Sequence, residues 1–247
     1  HKQQKFDVVI ETCENILARD PLHYKTHFVI ANAYMSQDNF EKAAYHIEKG
    51  LLYYPNDLYA LFQAGTIYIK QLKNILEKPN PDKNEIKKLE DKTLFWYGKA
   101  FAIREDFGKA WNNLGFLHER RAFRYLAENN KIEGEASLAK AKECFEKAIK
   151  QDPNYTDALL NKANILQNTG SGQEAIPIAL KVLNIAMKNL HEKENAFQAL
   201  VDSKVQQNSG KFNDAYTQKI IASQEYLGSA PKAIMMLKIE YSKTKDY

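Results

Sequence analysis

Histidine, cysteine and closely spaced glutamate residues are the side chains of this chain that could bind a metal or transfer protons. His23 and His27 stand four residues apart, which places two imidazoles on one helix face but leaves a metal short of a third ligand. His27 also fills a large-residue packing position, so we expect it in a core. Cys13 and Cys144 show no Cys-x-x-Cys or Cys/His spacing, so we expect two buried thiols and no disulfide.

Motifs that carry catalysis are absent from the sequence. It contains no phosphate-binding loop, dinucleotide-binding glycine motif, nucleophile elbow or zinc-protease motif, and TGSG at residues 169–172 is typical of a turn in which glycine ends a helix. Glu133 with Glu135, and Glu192 with Glu194, lie in polar stretches that offer no apolar pocket to raise a pKa. We therefore expect no enzymatic activity, no cofactor and no metal site.

Composition and charge exclude several classes of protein. The chain has 247 residues, 44% hydrophobic and 27% charged, with a net charge of +4 that is shared evenly between its halves. These values exclude a disordered chain or a disulfide-stapled mini-protein, and they lack the clustered basic face that nucleic-acid binding requires. No apolar stretch is long enough to span a membrane, and we expect a cytoplasmic location unless a leader precedes His1.

The elements that position the remaining side chains are helices that recur along the chain. Apolar residues return at three- and four-residue steps, glycine is scarce and strand-like alternation is missing, so the sequence predicts an all-α fold. One kind of helix ends shortly before a proline. Its apolar positions are Phe6, Val9, Cys13 and Ile16 before Pro21; Phe40, Ala43, Ile47 and Gly50 before Pro55; and Ala141, Phe145 and Ala148 before Pro153.

A second kind of helix lies between these and has its own pattern of large and small residues. A large residue is followed by an apolar and a small residue three and four positions on, because a small side chain lets two antiparallel helices approach closely. The pattern occurs as His27, Ile30, Ala31 and Tyr34; Leu61, Ala64, Gly65 and Tyr68; Trp111, Leu114, Gly115 and His118; and Leu159, Ala163 and Leu166.

These two helices together resemble the tetratricopeptide repeat. WNNLGFLH at residues 111–118 is similar to the first helix of that unit, AKECFEKAIKQDPNY at 141–155 is similar to the second, and the resemblance extends over about residues 6–222. It implies a right-handed α-solenoid of helix-turn-helix repeats whose first helices line a concave groove, in a single superhelical domain over 1–247. We assign a half repeat at 1–23, repeats at 24–57, 58–107, 108–155, 156–195 and 196–229, and a capping helix at 230–243.

The repeats at 58–107 and 108–155 are longer than the usual length of about 34 residues. Apolar residues continue the helical pattern on both sides of a polar loop in each, so we expect helices lengthened by about two turns. Because consecutive repeats are neighbours, the two long hairpins should support each other. The alternative is a pair of tolerated loop insertions.

The register of the family predicts which side chains face the groove. Amides can pair with the main chain of an extended peptide, and aromatic rings can hold its side chains, so this face suits a peptide or a helix of a partner protein. The alternative is that the asparagines only solvate a helix face. The predicted groove residues are Lys25, Phe28, Asn32, Tyr59, Phe62, Gln63, Thr66, Lys109, Asn112, Asn113, Asn161 and Asn164.

One branch of the family, the co-chaperones, holds a C-terminal carboxylate with lysine, asparagine and arginine at fixed groove positions. Here Phe28 stands where that branch has a lysine, and Asn113 stands where it has the arginine. The clamp is half built, so we do not expect this chain to bind chaperone tails.

The resemblance favours a non-catalytic scaffold that binds a segment of another protein to assemble or regulate a complex. A structural subunit that self-associates is the first alternative, through the unfinished first repeat or the apolar last helix with Met235, Met236, Leu237 and Ile239. A targeting appendage of an enzyme that lies outside this sequence is the second.

Overall fold

The computed structural model describes the backbone of residues 2–207 and the side chains of residues 5–189. Within that range all regular secondary structure is α-helical. The helices are α1 (Lys2–Arg19), α2 (Tyr24–Ser36), α3 (Phe40–Tyr53), α4 (Leu58–Leu76), α5 (Lys83–Ile103), α6 (Gly108–Ala127), α7 (Lys131–Gln151), α8 (Thr156–Asn168) and α9 (Gly172–Gln207). The predicted all-α fold is therefore confirmed.

The chain divides into two compact units, and the division falls between Gly134 and Glu135 inside α7. In the first unit α1 packs on α2, α2 on α3, α3 on α4 and α4 on α5, while α6 contacts both α4 and α5. In the second unit α8 packs on α9. The single superhelical domain and its right-handed twist stay predictions.

Three helix-to-helix turns share one backbone geometry. Asp38, Asn129 and Gly170 follow the ends of α2, α6 and α8 with φ values of 56°, 60° and 86°. The amide of the next residue then bonds to the carbonyl five positions back, as in Asn39 to Tyr34 at 2.9 Å. Because that left-handed conformation closes a helix end, the same αα-turn is built three times, with asparagine or aspartate standing in for glycine. The prediction that glycine ends a helix at 169–172 is confirmed.

Small residues lie where helices of the first unit cross. A Cβ atom added to Gly65 of α4 would stand 2.5 Å from the ring of Tyr97 on α5. Ala31, at the equivalent position of α2, and Ala64, which precedes Gly65, are fully buried. The reason given for the small residue in the repeat is thus confirmed, since a larger side chain at Gly65 would separate α4 from α5.

Helices α4 to α7 contain 19 to 21 residues, whereas α2, α3 and α8 contain 13 or 14. The residues by which the two long repeats exceed the usual length are therefore mainly helical, as predicted. Ion pairs connect α5 and α6 in these lengthened parts. Glu90 of α5 is 3% exposed and lies 3.2 Å from Arg121 and 3.0 Å from Arg124 of α6. Nearer the hairpin ends, Lys83 pairs with Glu128 at 2.6 Å. Mutual support of the long hairpins is confirmed for α5 and α6.

The last described helix differs from the predicted repeat pattern. α9 continues to Gln207, so the boundary predicted between residues 195 and 196 lies inside a helix. The physical reason is that HEKENAFQALVDSK, residues 191–204, contains no glycine or proline and consists mostly of good helix formers. The rest of the sixth repeat and the capping helix at 230–243 lie outside the described residues.

Candidate functional site

The predicted groove residues of the first unit lie on α2, α4 and α6, the first helices of their repeats. They differ in how far their side chains reach solvent. Lys25, Asn32, Tyr59 and Lys109 are exposed or nearly so, and Phe28, Phe62, Gln63, Thr66 and Asn113 are half-buried.

Asn112 is the exception among these residues. Only 7% of it is exposed, and it interacts with other parts of the protein. Its amide is therefore not presented to a ligand, because its position on α6 turns it toward the packed side of the helix.

An aromatic cluster on this face is formed by Tyr59, Phe62 and Phe107. The ring of Phe62 lies 4.6 Å from that of Phe107, centroid to centroid, and Tyr59 meets Phe107 edge-on at 6.3 Å. Tyr59 remains 69% exposed. An exposed ring fixed by neighbouring rings presents a contact surface that loses little conformational entropy on binding.

A buried tyrosine supports this cluster from the second helix of the repeat. The hydroxyl of Tyr97, which is fully buried, accepts a hydrogen bond from Nδ2 of Asn113 at 2.8 Å and lies 3.2 Å from Oγ1 of Thr66. The Thr66 hydroxyl donates in turn to the carbonyl of Phe62 at 2.9 Å. Asn113 and Thr66 thus join α4, α5 and α6 through the Tyr97 hydroxyl.

Phe28 takes part in packing within its own repeat. A Cβ atom added to Gly50 would stand 2.3 Å from the Phe28 ring, so that ring covers the glycine, and it also meets Tyr24 edge-on. Tyr24 in turn stacks on Tyr54 at 4.7 Å. Gly50 of α3 therefore leaves the space that the ring of Phe28, a predicted groove residue of α2, occupies.

Two cations, one from α4 and one from α6, approach the ring of a phenylalanine on α6. Nζ of Lys73 lies 4.2 Å from the centroid of Phe116, and Cζ of Arg120 lies 4.9 Å from it. Each geometry is that of a cation–π contact. We call Lys73, Phe116 and Arg120 the cationic cluster.

The cationic cluster was not predicted from the sequence, although a signal for it exists. Phe116 follows Gly108 by the same interval as Thr66, a predicted groove residue, follows Leu58, and Arg120 lies one turn further on. Continuing the groove register into the lengthened helices would have found both. Phe107 and Tyr97 were missed because one lies in a turn and the other on a second helix, outside the groove register.

The histidines considered for chemistry contact neighbouring side chains of the protein. His27 is 7% exposed, and its Nδ1 lies 3.1 Å from Nδ1 of His46, while Nδ1 of His23 lies 2.6 Å from Oγ1 of Thr26. Burial is the main cause that lowers the pKa of His27, and burial together with His27 and Lys42 lowers the pKa of His46 to about 4. Both rings are neutral at pH 7.

The two cysteines are buried free thiols, as predicted. Burial raises the pKa of both, and that of Cys144 to about 12, which makes them poor nucleophiles. Among the side chains that the structure describes, no three His, Cys, Asp or Glu residues are grouped closely enough to hold a metal ion.

A cleft of about 470 Å³ lies outside the groove, where α4 and α5 extend beyond the start of α3. Glu48, Tyr68 and Lys92 form a network beside it, in which Tyr68 donates to Glu48 at 2.6 Å and Lys92 contacts both. The rim of the cleft carries lysines and glutamates together, so its charge favours no class of ligand. Its charged lining residues are Glu41, Lys78, Glu85, Lys88 and Lys92.

Asn161 and Asn164, the remaining predicted groove residues, belong to α8 in the second unit, and both are half-buried. Oδ1 of Asn164 accepts a hydrogen bond from Asn168 at 3.3 Å. The second unit is held together by Leu159, Leu160, Ala179 and Val182. The assignment of the groove residues as a binding site stays a prediction in both units.

The comparisons with known proteins point to one repeat family. The sequence profile of the tetratricopeptide repeat matches residues 144–176. None of the curated proteins matches this chain in sequence. Among the described residues, no helix is both long and apolar enough to cross a lipid bilayer.

Three solved structures are similar to this chain in fold. MamA is 18% identical with a TM-score of 0.54, over 74% of this chain and 90% of its own. TTC0263, described as a thermophilic TPR protein of Thermus thermophilus, is 15% identical with a TM-score of 0.54, over 80% and 92%. YrrB, described as a TPR protein with an unusual peptide-binding site, is 16% identical with a TM-score of 0.53, over 77% and 84%.

Proposed function

We propose that this chain, which is a tetratricopeptide-repeat protein, binds a segment of a partner protein in the groove lined by α2, α4 and α6. A general protein-binding role follows from the fold, which is usually a non-catalytic interaction scaffold. The finer proposal is that binding occurs on the first helices of the first unit, and that it serves to assemble or regulate a complex.

The observation that carries the proposal is the aromatic cluster. Tyr59 exposes 69% of its surface while its neighbours Phe62 and Phe107 are packed together. Exposed tyrosines that are held in place by packed rings are typical anchors of protein interfaces, where they bury a large area at small entropic cost. The similarity to YrrB, whose description names a peptide-binding site, supports the same proposal.

The test compares two exposed tyrosines on different helices. Tyr59→Ser removes the anchor, whereas Tyr45→Ser removes a ring that is 58% exposed on α3, away from the groove helices. A photo-crosslinking amino acid placed at each position in the full chain, in the cells from which it comes, should yield a cross-linked partner from position 59. Affinity for that purified partner should then fall about tenfold or more in Tyr59→Ser and stay within about twofold in Tyr45→Ser.

The same purified partner also tests several predicted groove residues together. The triple variant Tyr59→Ala, Phe62→Ala and Asn113→Ala should lose measurable binding while keeping its helical content. Unchanged affinity in that variant would show that the groove assignment is wrong.

Self-association is a second candidate, and the exposure of α1 favours it. This helix packs on α2 and has Ile10 and Cys13 buried, while Val8 and Ile16 are 61% and 41% exposed. Leu22, beyond the end of the helix, is 61% exposed. An apolar helix face of this kind can pair with a second copy. Light scattering decides: a dimer that Val8→Asp with Ile16→Asp converts to a monomer supports this role, and a strict monomer excludes it.

A further inference from the structure

The cleft beside α3 lies at a step in the first unit, where α3 is shorter than the helices next to it. α3 packs on α4, and its Glu48 pairs with Lys92 of α5 at 2.9 Å. Nζ of Lys70 on α4 lies 5.5 Å from the ring centroid of Phe40, the first residue of α3. From Lys70, α4 rises by about 9 Å more before it ends at Leu76. The last turns of α4 and the first turns of α5 therefore extend past α3.

The first turns of α5 are covered on the side of α6 but not on the side of α3. Toward α6, Glu90 lies 3.2 Å from Arg121 and 3.0 Å from Arg124, and Lys83 pairs with Glu128 at 2.6 Å. Toward α3, the described residues leave the cleft of about 470 Å³. That volume lies in the range of about 300–1,000 Å³ that is typical of ligand sites. The cleft is thus the uncovered continuation of a face on which α3 already packs.

Two rows of polar side chains form the walls of the cleft. One row belongs to α4 and the residues just after it, and the other belongs to α5. Within each row the residues are three and four positions apart, which is the spacing of one helix face. The rows are Gln71, Asn74 and Lys78, and Glu85, Lys88 and Lys92. Between them Ile75 and Leu89 are each 6% exposed and form an apolar floor. A floor of this kind between polar walls suits one face of an amphipathic helix.

Most polar side chains of the two walls are not used within the protein. Lys92 is the exception, since it contacts Glu48 and Tyr68. An incoming segment can bond to the others without first breaking an internal contact. The side chains that form no hydrogen bond or ion pair with any residue that the structure describes are Gln71, Asn74, Lys78, Glu85 and Lys88.

The covered part of this face indicates what the uncovered part can bind. There a helix, α3, supplies a carboxylate: Glu48 accepts hydrogen bonds from the Tyr68 hydroxyl at 2.6 Å and from Lys92 at 2.9 Å. Lys88 lies one turn before Lys92 in the same row of α5 and has no such carboxylate. A second helix that continues the line of α3 can bring an acidic residue to Lys88, as α3 brings Glu48 to Lys92.

We propose that the cleft is a second binding site, separate from the groove, for an amphipathic helix of a partner protein. This helix packs an aliphatic side chain between Ile75 and Leu89 and pairs an acidic side chain with Lys88. A basic side chain one turn away meets Glu85, so the mixed rim selects an order of charges where its net charge selects nothing. The inference goes beyond the proposed function, because it uses none of the groove residues.

The test selects peptides from a random library on the full chain and measures their affinity by fluorescence anisotropy. Their length is about 16 residues, because shorter helices are marginal in water. Two variants change the cleft: Lys88→Glu reverses the charge that should meet the acidic residue, and Asn74→Trp fills the cleft from an exposed position. The matched control is Lys87→Glu, at an exposed neighbouring lysine that does not line the cleft. Circular dichroism and urea unfolding check that all variants fold as the parent does.

We expect a group of selected peptides that depends on the cleft. Their affinity should fall about tenfold or more in Lys88→Glu and in Asn74→Trp, because like charges repel and the indole occupies the site. It should stay within about twofold in Lys87→Glu and in Tyr59→Ser. The peptides should carry aspartate or glutamate three or four positions from an aliphatic residue, and their helical circular dichroism should increase on binding.

The cleft proposal is wrong if no selected peptide distinguishes Lys88→Glu from Lys87→Glu, or if the peptides that do so bind in an extended form. A dimer of the parent chain that Asn74→Trp converts to a monomer, measured by light scattering, would make the occupant a second copy and overturn the partner helix. Binding that is lost only in Tyr59→Ser concerns the groove, so the two proposals can fail separately.

Discussion

Tyr97 and Asn113 join the second helix of one repeat to the first helix of the next through a single hydrogen bond of 2.8 Å. The hydroxyl is buried under the groove, and Thr66 contacts it from a third helix at 3.2 Å. Because α4, α5 and α6 all contribute to this junction, the Tyr97 hydroxyl links three helices of the predicted groove face.

Tyr97→Phe should lower the free energy of unfolding by about 1–2 kcal/mol, since it leaves the amide of Asn113 without a buried acceptor. Chemical unfolding of the variant and the parent measures the difference. Tyr45→Phe, which removes a hydroxyl from an exposed ring, should change stability by less than about 0.5 kcal/mol. Equal effects in both variants would contradict a structural role for the Tyr97 hydroxyl.

Two glycines in neighbouring helices should respond oppositely to alanine. A Cβ atom at Gly65 would stand 2.5 Å from the Tyr97 ring, whereas nothing lies within 4 Å of one at Gly98. Gly65→Ala should therefore cost about 1–3 kcal/mol through overpacking. Gly98→Ala, in the interior of α5, should raise stability by about 0.5–1 kcal/mol, and thermal unfolding of both proteins reads out the two signs.

The buried carboxylate of Glu90 should matter far more than an exposed one on the same helix. Glu90→Gln leaves Arg121 and Arg124 without their shared counter-charge, so we expect a loss of about 2–4 kcal/mol. Glu85→Gln, at an exposed position of α5, should cost less than about 0.5 kcal/mol. Urea unfolding at neutral pH compares them, and similar midpoints would show that the pair of guanidinium groups needs no partner.

The buried histidine pair predicts a loss of stability in acid. A histidine whose pKa is lowered in the folded state takes up its proton more readily in the unfolded chain, so acid favours unfolding. The pKa of His46 falls from 6.5 to about 4, and that of His27 is lowered as well. The stability that depends on these neutral rings is complete above about pH 6.5 and is lost as the pH falls toward about 4.

We expect this effect to amount to about 2 kcal/mol at His46. Urea titrations from neutral to acid pH measure it, and His46→Gln should flatten the dependence. If the free energy of unfolding of His46→Gln fell with pH as steeply as that of the parent, the acid sensitivity would not come from His46.

The helices could be predicted from the sequence because their signals are local. Each first helix is marked by a large residue that an apolar and a small residue follow three and four positions later. Gly65, Ala31 and Ala64 belong to such pairs and are buried, as the pattern predicts. The αα-turns could be predicted only in part. Glycine at position 170 indicates its turn, but Asp38 adopts the same left-handed backbone conformation in a turn that contains no glycine.

The candidate site was harder to predict because side-chain partners come from distant repeats. Phe28 was assigned to the groove by register, and its ring in fact also covers Gly50. Asn112 lies one residue from Asn113, yet one is buried and the other lines the wall. Which of two neighbouring amides faces outward depends on the crossing of α5 and α6, and periodicity alone does not specify it.

The ion pairs between α5 and α6 make the two insertions interdependent. Shortening only one long hairpin would leave charged side chains of the other without their ion-pair partner. Loss of Glu90 would leave Arg121 and Arg124 without their anion, and loss of the two arginines would leave the Glu90 carboxylate buried and unpaired. Trimming both at once would remove donor and acceptor together and should do less harm. The two hairpin extensions should therefore be kept or lost together in evolution. We expect relatives of this chain to carry both extensions or neither.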